Sequence, residues 1–191
     1  MIAARPSGFL LCLSLAAFLL WGADARAAGE ATAVKGRKTD PNGMLAPGSD
    51  PIPFALLDLE GNTVSLSDYQ GQKAVLLAFW SFFCGPCREE IPLLDEITKK
   101  YADQGFEMLA INLDGPKLEK AVKQYVAAGN FGFRVLWEEM EGTQYKTADA
   151  YGVLGTPSSV LIGVDGKVSW THVGREEGPA IEEAIRKALA R

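Results

Sequence analysis

Two cysteines, Cys84 and Cys87, are separated by Gly85 and Pro86 and stand between an apolar run and a stretch of helical character. A Cys-x-x-Cys pair at a strand-to-helix junction can close a small disulfide ring. The first cysteine then sits at the helix N-terminus, where unpaired N–H groups and the helix dipole favour an anion. That favours the thiolate, the reactive form, and marks Cys84 as the nucleophile. Cys87, one turn further in, is the more sheltered resolving thiol. A thiolate attacks a disulfide, forms a mixed disulfide, and a second thiol releases the product. Zinc knuckles and inert disulfides use the same spacing. Zinc needs about four ligands, however, and beyond the first thirty residues the chain offers only this pair and His172.

The elements that position such a pair need a real core. The chain has 191 residues, 48% hydrophobic and 23% charged, which suits one globular domain with a short extension. A net charge of −5 argues against nucleic acid as a partner. One histidine cannot build a multi-histidine metal site, three cysteines are too few for a disulfide-stapled scaffold, and no cofactor is expected.

The third cysteine, Cys12, lies in an apolar run over residues 9–21 that only Ser14 interrupts and that only Arg5 precedes with a charge. With Ala25-Arg26-Ala27 behind it, this reads as a secretory signal peptide over residues 1–27. Ala23-Asp24-Ala25 is a second cleavage option. An uncleaved segment would instead anchor the chain to the inner membrane, although the run is short of the roughly 20 residues that span a bilayer. Flanked by leucines, Cys12 is a passive apolar residue. The protein is expected to be exported, periplasmic or otherwise extracytoplasmic, where disulfides persist. Residues 28–50, rich in Gly, Ala and Pro, read as a flexible linker, and residues 51–191 as the domain.

Within that domain, residues 53–59 and 62–66 are β-like around the turn signal Glu60-Gly61. Residues 74–80 form an unbroken apolar run, as in a central strand covered on both faces. A helix follows the cysteines to about Lys100, with Pro92 inside it and so no amide donor for the Arg88 carbonyl. Residues 106–113 and 133–137 read as strands around a helix over 117–128. A short helix over 147–151 precedes two strands, 159–164 and 167–173, joined at Asp165-Gly166. Pro179 starts the last helix. The order is a hairpin, then βαβαβ, then ββα, which predicts a mainly parallel sheet with antiparallel additions.

The run Trp80-Ser81-Phe82-Phe83-Cys84-Gly85-Pro86-Cys87-Arg88-Glu89-Glu90-Ile91-Pro92 resembles the active site of exported thioredoxin-like proteins of the TlpA/ResA group. The resemblance extends from about Pro51 to the C-terminus. It includes the hairpin Asp58-Leu59-Glu60-Gly61-Asn62, Leu66-Ser67-Asp68-Tyr69 and Gly155-Thr156-Pro157-Ser158. It implies an α/β thioredoxin fold: a central mixed sheet flanked by helices, with an added N-terminal β-hairpin and a helical insertion. It also implies thiol–disulfide oxidoreductase activity with a redox-active Cys84–Cys87 disulfide. Pro157 corresponds to the family's cis-proline facing the cysteines, which leaves the backbone before it free to pair with an extended substrate segment. Thr156, Trp80, Gly85 and Pro86 complete the implied substrate-binding set. Glu90 corresponds to an acid near the cysteines that shuttles a proton once burial raises its pKa.

Two positions depart from ordinary thioredoxin. Ala78 replaces a buried aspartate, which leaves Glu90 to accept protons, and Phe83 replaces a tryptophan. His172 reads as structural. The function expected is reduction of disulfides in extracytoplasmic proteins, such as those of cytochrome c maturation, with electrons from a membrane thiol-electron transporter. Gly85-Pro86 is the dipeptide of reducing thioredoxins. A thiol peroxidase of the same fold is one alternative, but its Pro-x-x-x-Thr/Ser-x-x-Cys pattern would need proline where Leu77 stands. A copper-binding or partner-docking module is the other.

Overall fold

The computed structural model describes residues 37–190. The expected signal peptide and the first part of the expected linker lie outside the described residues. Two short strands, β1 (Ala55–Leu57) and β2 (Thr63–Ser65), pair antiparallel. Buried Asp58 ties their turn together by accepting from the Glu60 and Asn62 amides at 3.0 and 2.8 Å. Then come β3 (Ala74–Trp80), α1 (Gly85–Tyr101), β4 (Phe106–Asn112), α2 (Glu119–Gly129) and β5 (Arg134–Trp137). A two-residue hairpin, β6 (Met140–Glu141) and β7 (Gln144–Tyr145), leads into the short α3 (Lys146–Ala150). The chain closes with β8 (Ser158–Ile162), β9 (Val168–Val173) and α4 (Gly178–Leu189).

Five strands form one mixed sheet in the order β5-β4-β3-β8-β9. β3 pairs parallel with β4 and antiparallel with β8, so it is the central strand, as its apolar run implies. All seven of its residues are buried, and the strand alternation sends them to two separate layers. Leu76, Ala78 and Trp80 pack with Cys87, Ile91 and Leu94 of α1 and with Ile181 and Ile185 of α4. Val75, Leu77 and Phe79 meet Leu56 and Val64 of the hairpin, Ala148 of α3 and Tyr151. The added hairpin and the inserted helix are both present, and the small β6–β7 hairpin adds to the expected order.

The second layer corrects the linker boundary. Residues 37–50 are packed onto the domain, with Met44 and Leu45 fully buried beside Tyr151. The Leu45 amide donates to the Tyr151 carbonyl at 2.9 Å, and Gly48 and Ser49 exchange backbone hydrogen bonds with Val168. Thr171 Oγ1 donates to Asp40 at 2.8 Å. Gly152 allows this contact: it has φ +75°, and a Cβ there would lie 2.3 Å from the Gly43 carbonyl oxygen. The segment looked like a tether because only two of its residues are large and apolar, yet those two cover the sheet face that no long helix covers. Leu45→Ala is therefore expected to lower stability by about 2–5 kcal/mol in urea unfolding, where a free linker would show no change.

Candidate active site

The site forms where parallel β3 and β4 end side by side. Trp80 and Asn112 are register partners, so the residues that follow them meet. Ser81 and Phe82 are held there by Asp114: Ser81 Oγ and the Phe82 amide each donate to its carboxylate at 2.6 Å. Buried Asn112 braces the same carboxylate through Nδ2 at 2.9 Å. Ser81 Oγ accepts from the Phe83 amide at 3.2 Å, and the Cys84 amide donates to the Ser81 carbonyl. The loop that delivers the first cysteine is thus pinned at each residue. Asn112, Asp114 and Ser81 carried no signal of their own in the sequence; the hint is polar residues at the ends of apolar strands.

Cys84 is the N-cap of α1, and its sulfur accepts from the Cys87 amide at 3.2 Å. The two cysteines form a disulfide with Cα atoms 5.2 Å apart. Cys84 is partly exposed, whereas Cys87 is buried against the first core layer. Pro86 occupies the first turn, where its missing N–H costs nothing. Around Gly85 the space is open, with no atom within 4 Å of where a Cβ would stand. α1 continues through Pro92. The Arg88 carbonyl, left without an amide donor by Pro92, accepts instead from the Tyr125 hydroxyl of α2 at 3.2 Å.

The Thr156–Pro157 peptide bond is cis. Thr156 lines a groove of about 380 Å³ with Ser81, Asp114, Tyr145 and Leu154. Phe83 and Leu154 are 74% and 90% exposed, unusual for large apolar side chains. Trp80 takes a different place from the one expected. It is 2% exposed and packs on Tyr125, so it supports the loop from below and does not face a substrate.

Glu90 lies one turn beyond Cys87 and is 3% exposed. Burial pushes its carboxyl above the usual carboxylate range, opposed by a hydrogen bond from the Glu176 amide and by the charges of His172 and Arg175. The amide donates to Oε1 at 2.8 Å. His172 thus stands in the electrostatic surroundings of the buried acid, which its place in a closing hairpin did not reveal.

Two results follow from this geometry. Asp114→Ala leaves the Phe82 amide and Ser81 hydroxyl without their acceptor, and is expected to cost about 1–3 kcal/mol in chemical unfolding and to slow disulfide exchange. For Glu90, the folded state holds a proton to higher pH than the unfolded chain does. Its burial therefore costs stability increasingly as pH rises from the ordinary carboxylate range. Glu90→Gln, which can still accept from the Glu176 amide, is expected to unfold at a higher temperature than the parent at pH 8. That difference should shrink toward pH 4.

The same arrangement recurs in known proteins. Residues 47–171 match the AhpC/TSA family. A thiol-disulfide oxidoreductase ResA of Bacillus thuringiensis subsp. konkukian is 37% identical over 134 residues, 70% of this chain and 73% of that protein. ResA of Halalkalibacterium halodurans is 31% identical over 136 residues, 71% and 73% of the two chains. Among solved structures, a Chlorobium tepidum protein assigned as the thiol:disulfide interchange protein DsbE superposes with a TM-score of 0.66 at 35% identity, covering 76% of this chain and 99% of that one. A Neisseria meningitidis protein assigned as a thioredoxin gives 0.63 at 32% identity, over 73% and 90%. This chain belongs to the ResA family of thiol–disulfide oxidoreductases, within the AhpC/TSA family.

Proposed function

We propose that this thiol–disulfide oxidoreductase is an extracytoplasmic reductant that acts through Cys84 and Cys87. The observation that carries the reading is the asymmetry of the pair: Cys84 is partly exposed at the helix N-cap, and Cys87 is buried. In the reduced protein, the Cys84 thiolate attacks one sulfur of a substrate disulfide and expels the other as a thiolate. The Cys87 thiolate then attacks Cys84 Sγ, closes the Cys84–Cys87 disulfide and releases the second substrate thiol. Two electrons pass to the substrate. Glu90, one turn beyond Cys87 on α1, takes the proton that Cys87 must lose, the task that in thioredoxins falls to the aspartate that Ala78 replaces.

The substrate is a polypeptide disulfide, presented as an extended segment in the groove between Thr156 and Ser81 and over the exposed Phe83 and Leu154. Gly85 and Pro86 leave the approach to Cys84 clear. Disulfides in exported proteins, including those of cytochrome c maturation, fit this chemistry. The export reading rests on the apolar run over residues 9–21, and no helix among the described residues is long and apolar enough to cross a membrane. Outside the cytoplasm, disulfides persist, so each cycle needs two electrons from a donor of its own, for which a membrane thiol-electron transporter is the proposed source.

Cys84→Ser is expected to abolish reduction of a protein disulfide by dithiothreitol-charged protein. Cys87→Ser should accumulate a mixed disulfide visible on a non-reducing gel. Trapping through Cys87 rather than Cys84 would overturn the assignment. A redox titration of the pair should fall toward thioredoxin's value of about −270 mV rather than the roughly −120 mV of the oxidant DsbA.

A further inference from the structure

The single histidine of the chain stands at the outer end of a polar chain that leads to Glu90. The His172 ring stacks on Trp170, with centroids 5.6 Å apart and planes 2° from parallel. Its Nδ1 lies 3.3 Å from Glu176 Oε2. The Glu176 backbone N–H in turn donates to Glu90 Oε1 at 2.8 Å. Both outer side chains reach solvent, at 30% exposure for His172 and 24% for Glu176, while Glu90 does not.

We propose that His172 and Glu176 are positioning residues for Glu90, and that the charge on the imidazole governs whether Glu90 holds a proton. This deepens the function above and rests on Glu90 being the proton carrier of the exchange. The charged groups facing Glu90 are His172 from β9 and Arg175 and Glu176 from the loop after it. Arg175 also pairs with Glu89 on α1 at 3.1 Å. Arginine keeps its charge at every working pH, and the two loop residues oppose one another in sign. Of the two cations that favour the Glu90 carboxylate, the imidazole is the one that also meets Glu176, whose backbone amide donates to Glu90.

The imidazole acts in two ways that reinforce each other. Protonated His172 favours the Glu90 carboxylate directly, because opposite charges lower a carboxyl's proton affinity. It also turns the contact with Glu176 into an ion pair, which holds the loop whose amide donates to Glu90. Glu90 can accept the Cys87 proton only as a carboxylate, so a charged imidazole keeps the acid competent to accept it.

The test reads Glu90 itself, by carbon-13 NMR of its side-chain carboxyl in the oxidised, glutamate-labelled full chain, assigned by loss of the signal in Glu90→Gln. His172→Gln is expected to move the titration midpoint to higher pH, which corresponds to a proton affinity raised about twofold or more. His172→Arg, whose charge is permanent, is expected to leave the midpoint at or below that of the parent. Midpoints that stay put in both variants, or rise in both, overturn the proposal, since a purely structural histidine would produce one of those patterns. The Glu90 reading is checked separately by the pH–rate profile of Glu90→Gln, which should lack the acid limb. Opposite NMR shifts together with an unaltered rate profile would keep the His172 coupling and overturn Glu90 as proton carrier.

Discussion

Every residue of β3 is buried, and a strand buried on both faces needs a cover on each side. α1 and α4 cover one side with the large side chains of an amphipathic stripe. The other side has no long helix, and its cover is assembled from the β1–β2 hairpin, α3 with Tyr151, and the pair Met44 and Leu45. The stability of the sheet therefore depends on pieces that are individually too small to stand alone. It also explains why the domain reaches back beyond the first strand, to a segment whose composition is that of a loop.

The same burial decides where chemistry can occur. No residue of β3 is polar, and the polar and reactive groups gather where the strand ends. Ser81, Cys84 and, just past the end of the neighbouring strand, Asp114 stand at that edge, and Thr156 enters it just before β8. Cys84 gains a helix N-terminus there, while Cys87 is carried down into the layer beneath. The difference between the two sulfurs thus follows from their places on one helix, the first at its N-cap and the second a turn further in.

Much of this was legible in the sequence because it is local. The apolar run of β3, the cysteine spacing at a helix start, and the Asp165-Gly166 turn each declare themselves within about ten residues. The cis bond before Pro157 was legible only through resemblance, since spacing alone does not distinguish it from an ordinary proline. What stayed hidden depends on residues far apart in the chain. Asp114 meets Ser81 across 33 positions, and Glu176 meets Glu90 across 86. Trp80 is a related case: its type and place beside the site suggested contact with substrate, but strand alternation turns it into the core. The linker boundary failed for a simpler reason, because two buried residues among many small ones leave no periodic trace.

Pro92 removes one backbone donor from α1, and the Tyr125 hydroxyl of α2 fills the vacancy at the Arg88 carbonyl. The carbonyl lies one residue past Cys87, so α2 is keyed to the reactive turn by a defect that the proline itself creates. The two positions are energetically coupled in such an arrangement. A relative that restores an amide at position 92 frees its tyrosine hydroxyl to be lost. One that keeps the proline leaves the Arg88 carbonyl to a donor on α2 or to water, so the two segments are coupled although they are separate in the chain.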